Sequence, residues 1–151
     1  MNPPERTAVF FGGIDPGESG AVSVLDGAGS VVLCRPFRGL NEADIRDILE
    51  SEVPVGTFFL LERVHAMPKQ GVASTFKFGR FCGMMSGLLC GLRIPYDTVS
   101  PTVWQKALNC LTGGNKNITK DLAARLFPTQ KITHATADSL LIAEFNRRTK
   151  K

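Results

Sequence analysis

Three carboxylates in this chain stand where a carboxylate is costly. Asp15 closes the apolar run Ala8-Val9-Phe10-Phe11-Gly12-Gly13-Ile14, Glu62 closes Phe58-Phe59-Leu60-Leu61, and Asp138 opens Asp138-Ser139-Leu140-Leu141-Ile142-Ala143. A run without polar residues suits a strand covered on both faces. An acid at its end therefore needs a cation, a hydrogen-bond donor or water beside it. On a helix, positions 138, 141, 142 and 145 share one side, which puts Asp138 on the stripe of Leu141, Ile142 and Phe145. Each acid alone is more often a cap or an ion-pair partner than a ligand; the joint pattern reverses those odds. Brought together, Asp15, Glu62 and Asp138 form an all-oxygen, net-negative cluster of the kind that hard Mg²⁺ or Mn²⁺ prefers. Two such ions about 4 Å apart activate a water and stabilise the leaving oxygen of a phosphodiester.

His134 lies four residues before Asp138, one turn away on the same helical side. It reads as a group that activates the water, assists a metal or protonates a leaving group, or as a capping or packing histidine. His65 reads as a DNA contact or a structural residue. The stretch from Lys69 to Arg80 holds Lys69, Gln70, Ser74, Lys77 and Arg80 together with Phe76 and Phe78. That mixture can grip phosphates and offer apolar faces to unstacked bases, although the two phenylalanines read first as core. Lys106, Lys116 and Lys120 either extend a phosphate track or are ordinary surface lysines. Gly114-Asn115-Lys116-Asn117 lacks the phosphate-loop pattern, Gly27-Ala28-Gly29 lacks the third glycine of a dinucleotide fingerprint, and no G-x-S-x-G elbow is present.

The elements that must position these groups follow from periodicity and punctuation. Pro16-Gly17 turns the chain after Asp15. Ala21 to Leu25 and Val31 to Cys34 read as two further strands, joined through Gly27-Ala28-Gly29 into an antiparallel meander. Asn41 caps a helix from Glu42 to Glu50 with Ile45, Ile48 and Leu49 inward. The strand ending at Glu62 follows a helix and so returns parallel to its neighbour, with Glu62 at its carboxyl end, where ligands gather in such sheets.

Residues 63 to 72 are a loop, and a long helix runs from about Ser74 to Leu92. Its Gly79, Gly83, Gly87 and Gly91 form a smooth stripe that suggests close packing, either on the sheet or against a second copy. Ile94 to Val99 fits a short strand, and Ser100-Pro101 starts a helix with Trp104, Ala107 and Leu108 inward. Asn117 or Thr119 caps the next helix, which carries Leu122, Ala123, Leu126 and Phe127 and stops at Pro128. The last begins between Thr133 and Thr136.

With 151 residues, 43% of them hydrophobic, the chain reads as one domain with enough core to fold unaided. Its formal charge of +4 favours a polyanionic partner. Arg147-Arg148-Thr149-Lys150-Lys151 is the densest basic cluster. Cys34, Cys82, Cys90 and Cys110 show no C-x-x-C spacing and sit among apolar neighbours, as small buried thiols of a reducing compartment do. Met1 to Arg6 lacks the order of a signal peptide, and no apolar run approaches the ~20 residues of a membrane span. A soluble, intracellular protein is expected.

Gly13-Ile14-Asp15-Pro16-Gly17 with Ser19-Gly20-Ala21, then Leu61-Glu62, Met67-Pro68-Lys69-Gln70-Gly71 and Phe76-Lys77-Phe78-Gly79, together resemble the RuvC-type Holliday junction resolvases, in particular their short phage-type and chloroplast-type members. Pro101-Thr102-Val103-Trp104-Gln105-Lys106 and Ala137 to Ala143 complete the resemblance. The blocks span nearly the whole chain in order. The resemblance implies an α/β RNase H-like fold, a five-stranded mixed sheet flanked by helices, over a single domain covering residues 1–151. It implies a homodimer that resolves four-way DNA junctions by paired nicks, using Mg²⁺, with Mn²⁺ able to substitute, at two ions per active site. Asp15, Glu62 and Asp138 then hold the metal, and His134 stands near a fourth active-site group. Family members commonly carry an acid or histidine about one turn before the last carboxylate, and the position three residues before it is Ala135 here. Competing readings are a broader flap or fork nuclease of the same fold and a junction-binding protein without catalysis. The Gly-Ile-Asp-Pro-Gly strand is also shared with sugar kinases and actin-like ATPases, which need two such domains.

Overall fold

The computed structural model describes residues 9–65 and 68–150. Expectations resting on Met1 to Arg6, Ala8, Ala66, Met67 and Lys151 lie outside the described residues. The elements run β1 (Phe10–Asp15), β2 (Ala21–Asp26), β3 (Val31–Pro36), α1 (Glu42–Asp47), β4 (Thr57–Glu62), α2 (Val72–Gly91), β5 (Tyr96–Val99), α3 (Pro101–Ala107), α4 (Asn117–Leu126) and α5 (His134–Thr149). The five strands form one sheet in the order β3-β2-β1-β4-β5. β1 pairs antiparallel with β2, and β2 with β3, giving the expected meander. β1 pairs parallel with β4, and β4 with β5.

β1, buried from Phe11 to Ile14, is the central strand. One core lies between the sheet and α3, α4 and α5, around Leu60, Trp104, Leu140, Leu141 and Ile142. The other lies between the opposite face and α1 and α2, around Ile14, Val24, Phe59, Met85 and Leu89. Alternation along β1 and β4 sorts the faces. Leu60 belongs to the α5 side, so Glu62, two residues on, points there as well, and Asp15 follows Gly13 in the same way.

Gly13 explains how α5 comes so close. A Cβ on it would strike the Ser139 carbonyl oxygen and the Ala143 amide nitrogen, both backbone atoms of α5. The helix thus rests directly on the strand, one residue past Asp138. Asn146 of α5 fastens the two acid-bearing strands: its Nδ2 donates to the Gly12 carbonyl at 2.9 Å and to the Phe58 carbonyl at 2.8 Å. A Ser23–Ser139 hydroxyl pair at 2.7 Å ties α5 to β2 in the same buried layer.

Several local expectations need correction. Gly79, Gly83, Gly87 and Gly91 do not pack on the sheet, since an added Cβ at any of them meets nothing within 4 Å. α1 carries the expected Asn41 capping box, closed reciprocally with Asp44, but widens into a π-helical turn over Ile48–Glu52. α4 is entered from Lys116 without a side-chain cap, so neither Asn117 nor Thr119 caps it; Thr119 is buried inside the first turn. Ala107 and Leu126 are exposed, because the inward positions at the ends of α3 and α4 are taken by their neighbours Leu108 and Phe127, both buried in the core. Phe76 is 74% exposed rather than core. Cys90 is exposed, and all four thiols are free. Among the described residues no helix is long and apolar enough to cross a membrane.

Candidate active site

Parallel pairing of β1 and β4 in the register Ile14↔Leu61 sets Asp15 and Glu62 side by side at the carboxyl edge of the sheet. α5 enters the same edge from above. Its Thr133 cap, closed in a box with Thr136, starts the helix one turn before Asp138. Asp15, Glu62, His134 and Asp138 consequently line one cavity of about 920 Å³. The cavity continues away from the acids between α1 and α2, past Phe37, Arg38 and Phe81.

Burial pushes the Asp15 carboxyl well above its ordinary value, and the charges of Glu62 and Asp138 push it the same way. Glu62 and Asp138 are also raised, chiefly by burial. The Asp15 and Glu62 carboxyls share a hydrogen bond, which favours the protonated form of the first and the ionised form of the second. Four protein groups oppose the rise. The buried Trp104 indole donates its Nε1–H to Glu62 Oε1 at 2.9 Å, and the Thr119 hydroxyl favours the ionised form of Asp138. Lys116 lowers all three carboxyls, and His134 lowers Asp138. The negative field reaches further: Asp138 adds to the burial that lifts the Cys110 thiol to about 11.

Asp138 Oδ1 is buried with no hydrogen-bond partner. An orphaned, buried carboxylate oxygen beside two more raised acids is an oxygen donor suited to a cation. The donor set is all oxygen and anionic, which fits a hard divalent cation in kind. The side chains are not gathered as a ready-made ligand set; among the described residues no three His, Cys, Asp or Glu groups are arranged to hold an ion. Glu62 is instead turned to Trp104 and Asp15, the partners that compensate its charge in the free chain.

Of the residues proposed from sequence for nucleic-acid contact, Ser74, Lys77, Arg80 and Lys116 line the cavity. Lys69, Gln70, Lys106 and Lys120 do not, and His65 is exposed in the loop after β4. Ala135 faces the cavity beside His134, so no carboxylate stands there. Sequence reasoning missed the roles of Trp104 and Thr119. The signal for Trp104 was present, since a buried indole N–H needs an acceptor.

No family model and no curated protein sequence matches the chain. Among solved structures, Thermus thermophilus RuvC in complex with a Holliday junction substrate matches with a TM-score of 0.68 at 16% identity, covering 93% of this chain and 96% of that one. A second Thermus thermophilus RuvC structure matches with a TM-score of 0.64 at 17% identity over the same shares. At that identity the likeness carries the architecture: the chain has the RNase H-like fold of RuvC, with its mixed five-stranded sheet flanked by helices.

Proposed function

We propose that the chain is a divalent-metal-dependent endodeoxyribonuclease that acts as a single domain, works as a homodimer and resolves four-way DNA junctions by paired nicks. The observation that carries this reading is the convergence of Asp15, Glu62 and Asp138 on one cavity, with Asp138 Oδ1 left without a partner, on a fold shared with a resolvase. Asp15, Glu62 and Asp138 would hold Mg²⁺ or Mn²⁺. When bound, such an ion lowers the pKa of a coordinated water and neutralises charge on a phosphodiester oxygen.

The chain's own groups do the rest. Trp104 fixes one oxygen of Glu62, and the hydrogen bond shared with Asp15 keeps the two strand-end carboxyls together at the cavity. Lys116 sits on the acid side of the cavity, where it attracts the scissile phosphate and offsets carboxylate repulsion. His134, one turn from Asp138, is placed to take a proton from water or give one to the leaving oxygen. Lys77 and Arg80 grip backbone phosphates further along. The glycine stripe of α2, bare within the chain, is the surface on which two copies meet, and two copies supply the two cuts.

Cleavage of labelled four-way junction, flap and linear duplex, in parallel with Mg²⁺, Mn²⁺ and chelator, tests the proposal. Symmetric nicks confined to the junction and abolished by chelator are the expected result. Equal cleavage of flaps and forks replaces it with a broader branched-DNA nuclease, and tight junction binding without cleavage in any metal refutes the catalytic reading.

A further inference from the structure

Two ion pairs cross the mouth of the cavity. Lys77 Nζ on α2 meets Glu18 Oε2, in the turn between β1 and β2, at 3.3 Å. Arg80 Nη2, one turn along α2, meets Glu42 Oε1 at the start of α1, at 3.0 Å. All four side chains are exposed, and all four line the cavity that holds the three acids. The partners are 59 and 38 residues apart, so neither pair is a by-product of local chain geometry.

The helix they hold is otherwise lightly attached at that end. The buried residues of α2, Met85 and Leu89, both lie in its second half. Over the first half, the Phe78 ring lies near Gly17, and the Phe81 and Phe37 rings sit 5.4 Å apart. Two carboxylates therefore occupy two cations that face the groove, and they do so from the opposite wall.

We propose that Glu18 and Glu42 compete with DNA for the two cations of α2 that face this groove. In the free protein each stands where a backbone phosphate would pair with Lys77 or Arg80, and nucleic acid engages fully only by displacing both. The inference rests on reading this cavity as the DNA cleft. An exposed ion pair is weak, so a polyanion that reaches both cations with accompanying counterion release displaces the carboxylates readily.

The test is a Glu18→Gln/Glu42→Gln double variant, read by fluorescence anisotropy on labelled four-way junction and linear duplex in chelator. Both affinities should rise, by roughly two- to fivefold per pair. Amide exchange over residues 75–80 of the DNA-free variant should quicken as the first half of α2 loosens. Unchanged or weaker DNA binding overturns the inference, as does unchanged exchange. A wild-type chain that binds junction in chelator but never cuts it in metal sinks the nuclease and leaves the competitor role to these readouts; one that binds no DNA sinks both.

Discussion

Gly13→Ala puts the geometry of the site under the most direct strain. The added methyl would collide with the Ser139 carbonyl oxygen and the Ala143 amide nitrogen and come within 3.0 Å of the Ile142 carbonyl carbon, and none of these backbone atoms can rotate away. Ordinary contact requires α5 to retreat by about 1 Å, a forced overpacking that costs about 1–3 kcal/mol. On a urea titration that is a midpoint lower by about 1 M. The retreat carries Asp138 with it, because Ser139 is the neighbour that is pushed. A displacement of about 1 Å in a catalytic constellation costs about 100-fold in rate. Junction binding should change little, since Lys77 and Arg80 stand on α2. Gly27→Ala is the control, as its methyl meets nothing within 4 Å. If Gly13→Ala unfolds at the wild-type urea concentration and cuts junctions at the wild-type single-turnover rate, the close seating of α5 on β1 is not what positions the third acid.

Burial and neighbouring charge raise Asp15 in the folded chain, so the fold binds its proton more tightly than the unfolded chain does. That contribution is present below 3.8 and is lost as pH rises from there toward the folded value. In chelator, Asp15→Asn should accordingly melt above wild type near pH 8, with the gap closing near pH 4, while binding junction without cutting it; a lower melting point near pH 8 contradicts the charge account. Trp104→Phe removes the donor that keeps Glu62 down, for about 1.5–3 kcal/mol when Glu62 is ionised. Urea midpoints should fall further at high pH than at low pH, and a pH-independent loss would assign the indole to packing alone. Gly83→Leu, which meets no atom of the described residues at Cβ, should leave the fold intact and convert the proposed dimer to monomer by sedimentation; a variant that stays dimeric moves the seam off α2.

The strands, the meander and the parallel return of β4 were legible because the runs leading into Asp15 and Glu62 lack polar residues, and such runs have few places in a sheet other than its middle. The acids were legible for the same reason: Asp15 and Glu62 are conspicuous at the ends of such strands, and Asp138 breaks an apolar helical stripe. What periodicity cannot carry is reach between elements. Trp104 and Glu62 are 42 residues apart, and nothing in either neighbourhood names the other. Lys116 looked like one lysine among several until the start of α4 set it against three acids. The glycines of α2 show the converse error. Their spacing correctly announced a smooth surface, but small residues at helical spacing do not say which side of the helix meets the sheet. Met85 and Leu89 take that side, and the stripe is left outside. Phe76 misled in the same way, as an aromatic on a helix whose first half has little to pack against.

The charge count of the cavity bears on how many ions it keeps. Three carboxylates face Lys116, the one cation among the described residues whose field lowers all three, while His134 acts on Asp138 alone and Ala135 brings no fourth acid. One divalent ion and Lys116 together balance three ionised carboxylates. A second ion would leave the buried site with two surplus positive charges, which is as costly as the surplus negative charge that raises the acids in the free chain. A phosphodiester brings one negative charge and bridging oxygens, and so makes room for it. The DNA-free protein should therefore take up one Mg²⁺ or Mn²⁺ by calorimetry, with proton release, since raised carboxyls must ionise to ligate. Asp138→Asn should abolish that uptake. Adding an uncleavable junction should raise the stoichiometry to two per active site, and two ions bound in the absence of DNA would show that groups beyond Lys116 and the three acids set the balance.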